Sequence, residues 1–159
     1  GHNIVVARTF SKIYGLAGMR VGYLIASEQN TEWVNQYGMG NYTLNQAGLA
    51  AAIASYNDDA FLTFSKDKIL QGRAMVMDAV KANGLTAASS STNFVFVNLG
   101  SGNAEHFRRA MAEKDILIRG IYRSYNNWSR VSMGTISDVQ RYIDAIPEAL
   151  EKMEKAQNA

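Results

Sequence analysis

Cysteine is absent from this 159-residue chain, which excludes disulfides and thiolate metal sites. The two histidines, His2 and His106, lie far apart in sequence and suggest no metal pair. The single proline, Pro147, falls inside the last helical pattern. A proline there removes an amide donor and predicts a kink. No apolar run approaches the ~20 residues that a spanning helix needs. There is no block of lysine or arginine, and a net charge of +2 gives no argument for nucleic acid. A signal-peptide pattern and internal repeats are also absent. What remains is 47% apolar and 19% charged, the balance of an ordinary globular protein.

The informative stretch runs from Thr9 to Tyr23, T-F-S-K-I-Y-G-L-A-G-M-R-V-G-Y. Ile4-Val5-Val6-Ala7 leads into it and Val21 to Ala26 leaves it. Both read as buried strands. A loop held between such strands is where α/β proteins place binding chemistry. Lys12 sits among small and apolar residues, so partial desolvation is expected. That would favour the free amine, a nucleophile for carbonyl carbon. Thr9, Ser11 and Arg20 supply two hydroxyls and a planar cation, a set able to clamp a phosphate. Taken alone, a short S-K-x-x-G string is also compatible with a solvated loop.

The whole string resembles the active-site lysine segment of fold-type I pyridoxal-phosphate aminotransferases, above all the histidinol-phosphate aminotransferase branch. That branch reads T-x-S-K-x-x-G-L-A-G-x-R-x-G-Y, and every fixed position is matched. The resemblance implies that Lys12 is the catalytic Schiff-base lysine of pyridoxal 5'-phosphate. It also implies that Thr9, Ser11 and Arg20 hold the cofactor phosphate. In that family the lysine segment follows several earlier strands and helices, so this chain is expected to be the C-terminal part of a larger enzyme. The aspartate on the pyridine nitrogen, the ring-stacking aromatic and a tyrosine lent by a second subunit all come from earlier segments there.

Further along, Ser27 is a plausible cap for a helix reaching about Tyr37, and Gly38-Met39-Gly40-Asn41 breaks it. Tyr42 to Ser55 reads as a buried helix. Asn57-Asp58-Asp59 caps a helix over 60–83, with Phe61, Phe64, Ile69, Leu70 and Met77 as its core contacts. Gly84 ends that helix. The small polar run 86–92 marks passage into a second domain. Strands are expected over 93–99, 116–119 and 128–134. Helices are expected from Ala104 to about Lys114 and from Ser137 onward, with fraying after Lys152. The order β-α-β-β-α predicts an antiparallel sheet with helices on one side.

Arg130 stands in the last strand. Alternation puts Trp128, Arg130 and Ser132 on one face, which leaves open whether Arg130 is paired or faces water. Arg130-Val131-Ser132-Met133-Gly134-Thr135 resembles the family's R-[IV]-S-[IVM]-G-T segment. The resemblance implies that Arg130 binds the acidic group of an amino-acid substrate. Arg119 and Arg123 are further candidates for an acidic substrate group; Arg119 matches an arginine of many relatives, and Arg123 reads rather as solvated.

The expected fold is α/β: residues 1–85 as the later part of a cofactor-binding large domain and 86–159 as a small α+β C-terminal domain. The implied function is transamination between a 2-oxo acid and an amino acid or amino-acid phosphate, of the histidinol-phosphate or aromatic type. The implied setting is a cytoplasmic homodimer with neither nucleic acid nor membrane as partner. An amino-acid phosphate decarboxylase and an inactive folding fragment are the alternatives. The 159 residues by themselves are expected to lack appreciable turnover.

Overall fold

The computed structural model describes residues 2–38 and 40–158; Met39, part of the expected helix break, lies outside them. The chain divides into two compact units, Gly1–Lys66 and Asp67–Ala159. The division falls inside one helix, and the boundary read from sequence at 85/86 lies within the second unit. No helix among the described residues is long and apolar enough to cross a membrane.

In the first unit, β1 (Val5–Thr9) and β2 (Gly22–Ala26) form an antiparallel pair with Thr9 opposite Gly22. A Cβ on Gly22 would stand 2.6 Å from the Arg8 carbonyl oxygen. Only glycine permits that approach without moving a strand. Helix α1 (Glu28–Tyr37) is capped by Ser27, whose hydroxyl accepts from the Asn30 amide at 3.3 Å. Residues Gly40–Thr43 form a 3-10 turn, and α2 (Gln46–Tyr56) begins after Asn45. The small core here is Phe10, Val21 and Ala52, with Tyr14 and Leu16 against it.

This unit departs from the sequence expectations in burial. Both strands are largely exposed, with Ile25 at 57%. Helix α2 starts four residues later than expected and buries only Gly48 and Ala52. Tyr42 is fully exposed. Apolar composition sets which residues can be buried. Actual burial needs a facing layer, and a two-stranded sheet provides little.

Helix α3 (Asp59–Ala82) starts at a cap formed by Asp58, whose carboxylate accepts from the Phe61 amide at 2.8 Å. Its buried stripe is Gly72, Val76, Ala79 and Val80. The expected core contacts Phe61, Phe64 and Leu70 are exposed instead. Gly84, at φ 70°, closes the helix, with the Leu85 amide donating to the Val80 carbonyl at 3.0 Å.

In the second unit, β3 (Thr86–Ala87), β4 (Phe94–Asn98) and β5 (Trp128–Ser132) form an antiparallel sheet in that order. The expected strand at 116–119 is reduced to an isolated bridge between Arg119 and Arg130. Helix α4 (Ala104–Ala112) is capped by Asn103, whose side chain accepts from the Glu105 amide at 2.8 Å. Helix α5 (Ile136–Gln157) is capped by Thr135 and runs through Pro147. Alternation along β4 and β5 turns Val95, Val97, Ser129 and Val131 inward. They meet Phe107, Met111, Ile146 and Val76 in one continuous core. The other sheet face carries Phe94, Phe96, Trp128 and Arg130.

The tail does not fray at Lys152. Met153 is buried, and the Lys152 ammonium donates to Glu113 at 2.7 Å and pairs with Glu148 at 3.1 Å. Gln157 donates to the Ser101 carbonyl at 3.0 Å.

On α4, Glu105 accepts from Arg108 at 2.9 and 2.7 Å and from Arg109 at 3.3 Å. The Arg108 guanidinium outweighs the opposing effect of burial and holds the carboxyl down at about 2, from an ordinary 4.5. The folded value lies below the unfolded one. The stabilisation is therefore present above the ordinary carboxylate range and is lost as pH falls through about 2. In a thermal-unfolding series from pH 5 to about pH 2, Glu105→Gln is expected to flatten the acid decline. An unchanged slope would remove the pair from the acid response.

Candidate functional site

Residues Thr9 to Arg20 form a closed loop anchored on Phe10. The Phe10 amide donates to the Val21 carbonyl at 3.2 Å, and the Phe10 carbonyl accepts from Leu16 at 3.0 Å. Phe10 is buried beside Tyr14, with ring centroids 4.8 Å apart. The β1–β2 ladder ends at Thr9–Gly22, so Ser11 and Arg20 both lie in the loop that the two strands enclose.

Thr9 completes the set. Its hydroxyl donates to the Ser11 oxygen at 2.8 Å and accepts from the Ser11 amide at 3.0 Å. Because Ser11 Oγ is the acceptor in that bond, its own proton is free for an anion. Arg20 has φ 54°, in the left-handed region, and donates from Nη1 to the Ala17 carbonyl at 2.8 Å. A non-glycine residue held there carries strain of the kind found at ligand clamps. The turn before it, Ala17–Met19, is pinned by Asn45, whose amide donates to the Met19 carbonyl at 2.7 Å. Asn45 had no signal in the sequence, which placed it inside the expected helix over 42–55 rather than at a cap.

Lys12 lies at the loop's exposed side, and its carbonyl accepts from Gly15 at 2.9 Å. The expected partial desolvation is not seen in this chain. The flanking strands are themselves exposed, so no apolar wall stands over the amine. Neither Lys12 nor Arg20 forms a salt bridge among the described residues, which leaves both cations available to an anion.

The second set lies in the second unit. Arg119 and Arg130 exchange both backbone hydrogen bonds, at 3.0 and 2.9 Å, so their side chains share one sheet face. The Ser129 hydroxyl, buried on the core face, donates to the Arg119 carbonyl at 2.8 Å and fixes this pairing. Gly120 is buried, and a Cβ there would meet Glu105 Oε2 at 2.8 Å. Arg130 is half-buried, and its Nε is enclosed without a hydrogen-bond partner. Its guanidinium carbon stands 5.2 Å from the Phe94 ring centre and 6.0 Å from that of Tyr122. The role of Tyr122 as a platform was missed in the sequence; its aromatic neighbours Tyr125 and Trp128 were the available signal.

The sequence model of the family "Aminotransferase class I and II" matches residues 1–146. A histidinol-phosphate aminotransferase of Hyphomonas neptunium is 37% identical over 147 residues, covering 91% of this chain and 40% of that protein. Histidinol-phosphate aminotransferase 1 of Cupriavidus pinatubonensis is 34% identical over 152 residues, covering 94% of this chain and 40% of that protein. Among solved structures, histidinol-phosphate aminotransferase from Sinorhizobium meliloti, in complex with pyridoxal-5'-phosphate, superposes with a TM-score of 0.81. It is 31% identical and covers 92% of this chain and 41% of that one. The chain thus spans about two-fifths of the length of the curated relatives it matches. The closed lysine loop, the fold and the sequence match agree: this chain belongs to the class I and II aminotransferases.

Proposed function

We propose that the protein carrying this chain is a pyridoxal-phosphate-dependent aminotransferase acting on a small amino acid or amino-acid phosphate and a 2-oxo acid, of the histidinol-phosphate or aromatic type. A cytoplasmic homodimer belongs to the same reading, as does a division at residue 85 between cofactor-binding and small domains. The single observation that carries it is the loop closed on Phe10, which holds the Thr9 and Ser11 hydroxyls 2.8 Å apart on the same segment as Lys12 and Arg20.

The donor set fits the cofactor. A phosphate dianion needs several donors and compensating charge, and the loop offers a free hydroxyl proton, a guanidinium and no competing carboxylate. Open space beside Gly15 and Gly18 lets a ligand approach the backbone. Pyridoxal phosphate, when bound, supplies the electron sink for chemistry at the substrate α-carbon. Lys12 supplies the amine that meets the cofactor aldehyde and then, as the free base, moves a proton from the substrate α-carbon at Nζ. Thr9, Ser11 and Arg20 bind and orient the phosphate. Arg130 and Arg119 take the substrate's acidic group, where a planar fork matches a carboxylate bidentately.

Borohydride reduction after incubation with pyridoxal phosphate, followed by peptide mapping, tests the assignment. Label is expected on Lys12; label spread over surface lysines would refute it. Arg20→Ala is expected to weaken cofactor affinity by about tenfold to a hundredfold, the worth of one charge-assisted contact. Unchanged affinity in a spectroscopic titration would take Arg20 out of the clamp.

A further inference from the structure

We infer that two side chains outside the lysine loop, Ser65 and Asn45, are positioning residues with separate tasks: Ser65 sets the direction of Lys12, and Asn45 sets the place of Arg20. This deepens the proposed function and rests on it. The Lys12 side chain is exposed, so its direction is inherited from the backbone beneath it. The two peptide units that follow Lys12 are each held by one bond. The Lys12 carbonyl accepts from the Gly15 amide at 2.9 Å, a bond inside the turn. The Ile13 carbonyl accepts from the Ser65 hydroxyl at 2.8 Å, a bond that ties the turn to α3, 52 residues away in sequence. A helical hydroxyl that bonds to backbone ordinarily takes a carbonyl one turn earlier in its own helix. Thr31 on α1 and Ser55 on α2 do so, at 3.0 Å to the Ser27 carbonyl and 2.7 Å to that of Ala51. Ser65 leaves that pattern and donates to the loop instead.

Arg20 has φ 54°, a conformation that persists only where the surroundings hold it. The carbonyl just before it, on Met19, accepts from the Asn45 side-chain amide at 2.7 Å. The Asn45 side-chain oxygen accepts from the Gly48 amide and caps α2. Gly48 is buried, and a Cβ there would stand 2.8 Å from Asn45 Nδ2. Glycine thus leaves the amide room to reach the loop. Capping needs only an oxygen, which serine also supplies; the amide of Asn45 adds the bond to Met19. The two tethers grip different peptide units, one beside the amine and one beside the guanidinium. Their removal therefore has different consequences.

The test uses the whole chain and two probes: pyridoxal phosphate, and pyridoxal, which carries the same aldehyde without the phosphate. The rate of borohydride-fixed labelling at Lys12 is followed by peptide mapping. Loss of one neutral hydrogen bond corresponds to about threefold to tenfold. Ser65→Ala is expected to slow labelling by that factor with both probes alike, and Ser65→Thr, which keeps the hydroxyl, to restore it. Asn45→Ser keeps a capping oxygen but no amide. It is expected to leave labelling by pyridoxal unchanged and to cut the advantage of pyridoxal phosphate over pyridoxal by about threefold to tenfold. A merely structural role for the two residues predicts that both variants slow with both probes, and that outcome overturns the inference. Labelling of Ser65→Ala at the unmutated rate, or an Asn45→Ser variant that keeps the full advantage of the phosphate, overturns it as well. Failure of the unmutated chain to take label on Lys12 defeats the proposed function; label on Lys12 with no such separation between the variants defeats only this inference.

Discussion

Lys12→Ala is expected to abolish transamination in the complete protein and to leave cofactor binding measurable but no longer fixed by borohydride. The loss has two parts. On the proposed reading, the amine that bonds the cofactor aldehyde is gone, and so is the base that moves the α-proton. General acid–base catalysis alone contributes about 10²–10⁴-fold. No other residue of the loop offers an amine: its remaining cation, Arg20, cannot deprotonate at working pH. Single-turnover kinetics with added pyridoxal phosphate provides the measurement. A variant turning over within tenfold of the parent would show that the reaction uses another base.

The second large effect is expected on stability. Phe107→Ala should cost about 3–5 kcal/mol, the usual toll of removing a buried aromatic ring. Phe107 is 0% exposed and lies in the continuous core where α4 meets β5 and α5. Marginal stabilities of ~5–15 kcal/mol leave little room for such a loss. Denaturant unfolding monitored in the second unit should show a large fall in midpoint. Tyr42→Ala, at a fully exposed ring, is the control and should change stability by no more than about 0.5 kcal/mol. Equal effects of the two substitutions would mean that the core is wrongly located.

The contrast between Phe107 and the first unit shows where sequence reading succeeds. In β5 the expected alternation holds, because helices α3, α4 and α5 supply a facing layer for its inward side chains. The caps at Ser27 and Gly84 were also legible, since they depend on bonds within a few residues. Phe61, Phe64 and Leu70 were misplaced because a helical stripe can be read in more than one phase. Which phase is buried depends on a neighbour far away in sequence. The 116–119 strand failed for a related reason: its β-branched residues favour extension, but only Arg119 finds a ladder partner.

The site divides in the same way. The order of residues from Thr9 to Tyr23 by itself carried the resemblance that named the family, and through that resemblance it proposed the lysine and the phosphate donors. Arg130 and Arg119 were likewise named from their segments. Tertiary structure decided what those side chains meet. It closed the loop holding Ser11 and Arg20 where β1 and β2 end at the Thr9–Gly22 pair. It left Lys12 exposed, and it drew Arg123 from a solvated reading onto the ring of Tyr122 beside two other arginines. Burial and charge convergence are sums over residues distant in the chain. No local spacing encodes them, and only the folded backbone brings the contributing groups within range of one another.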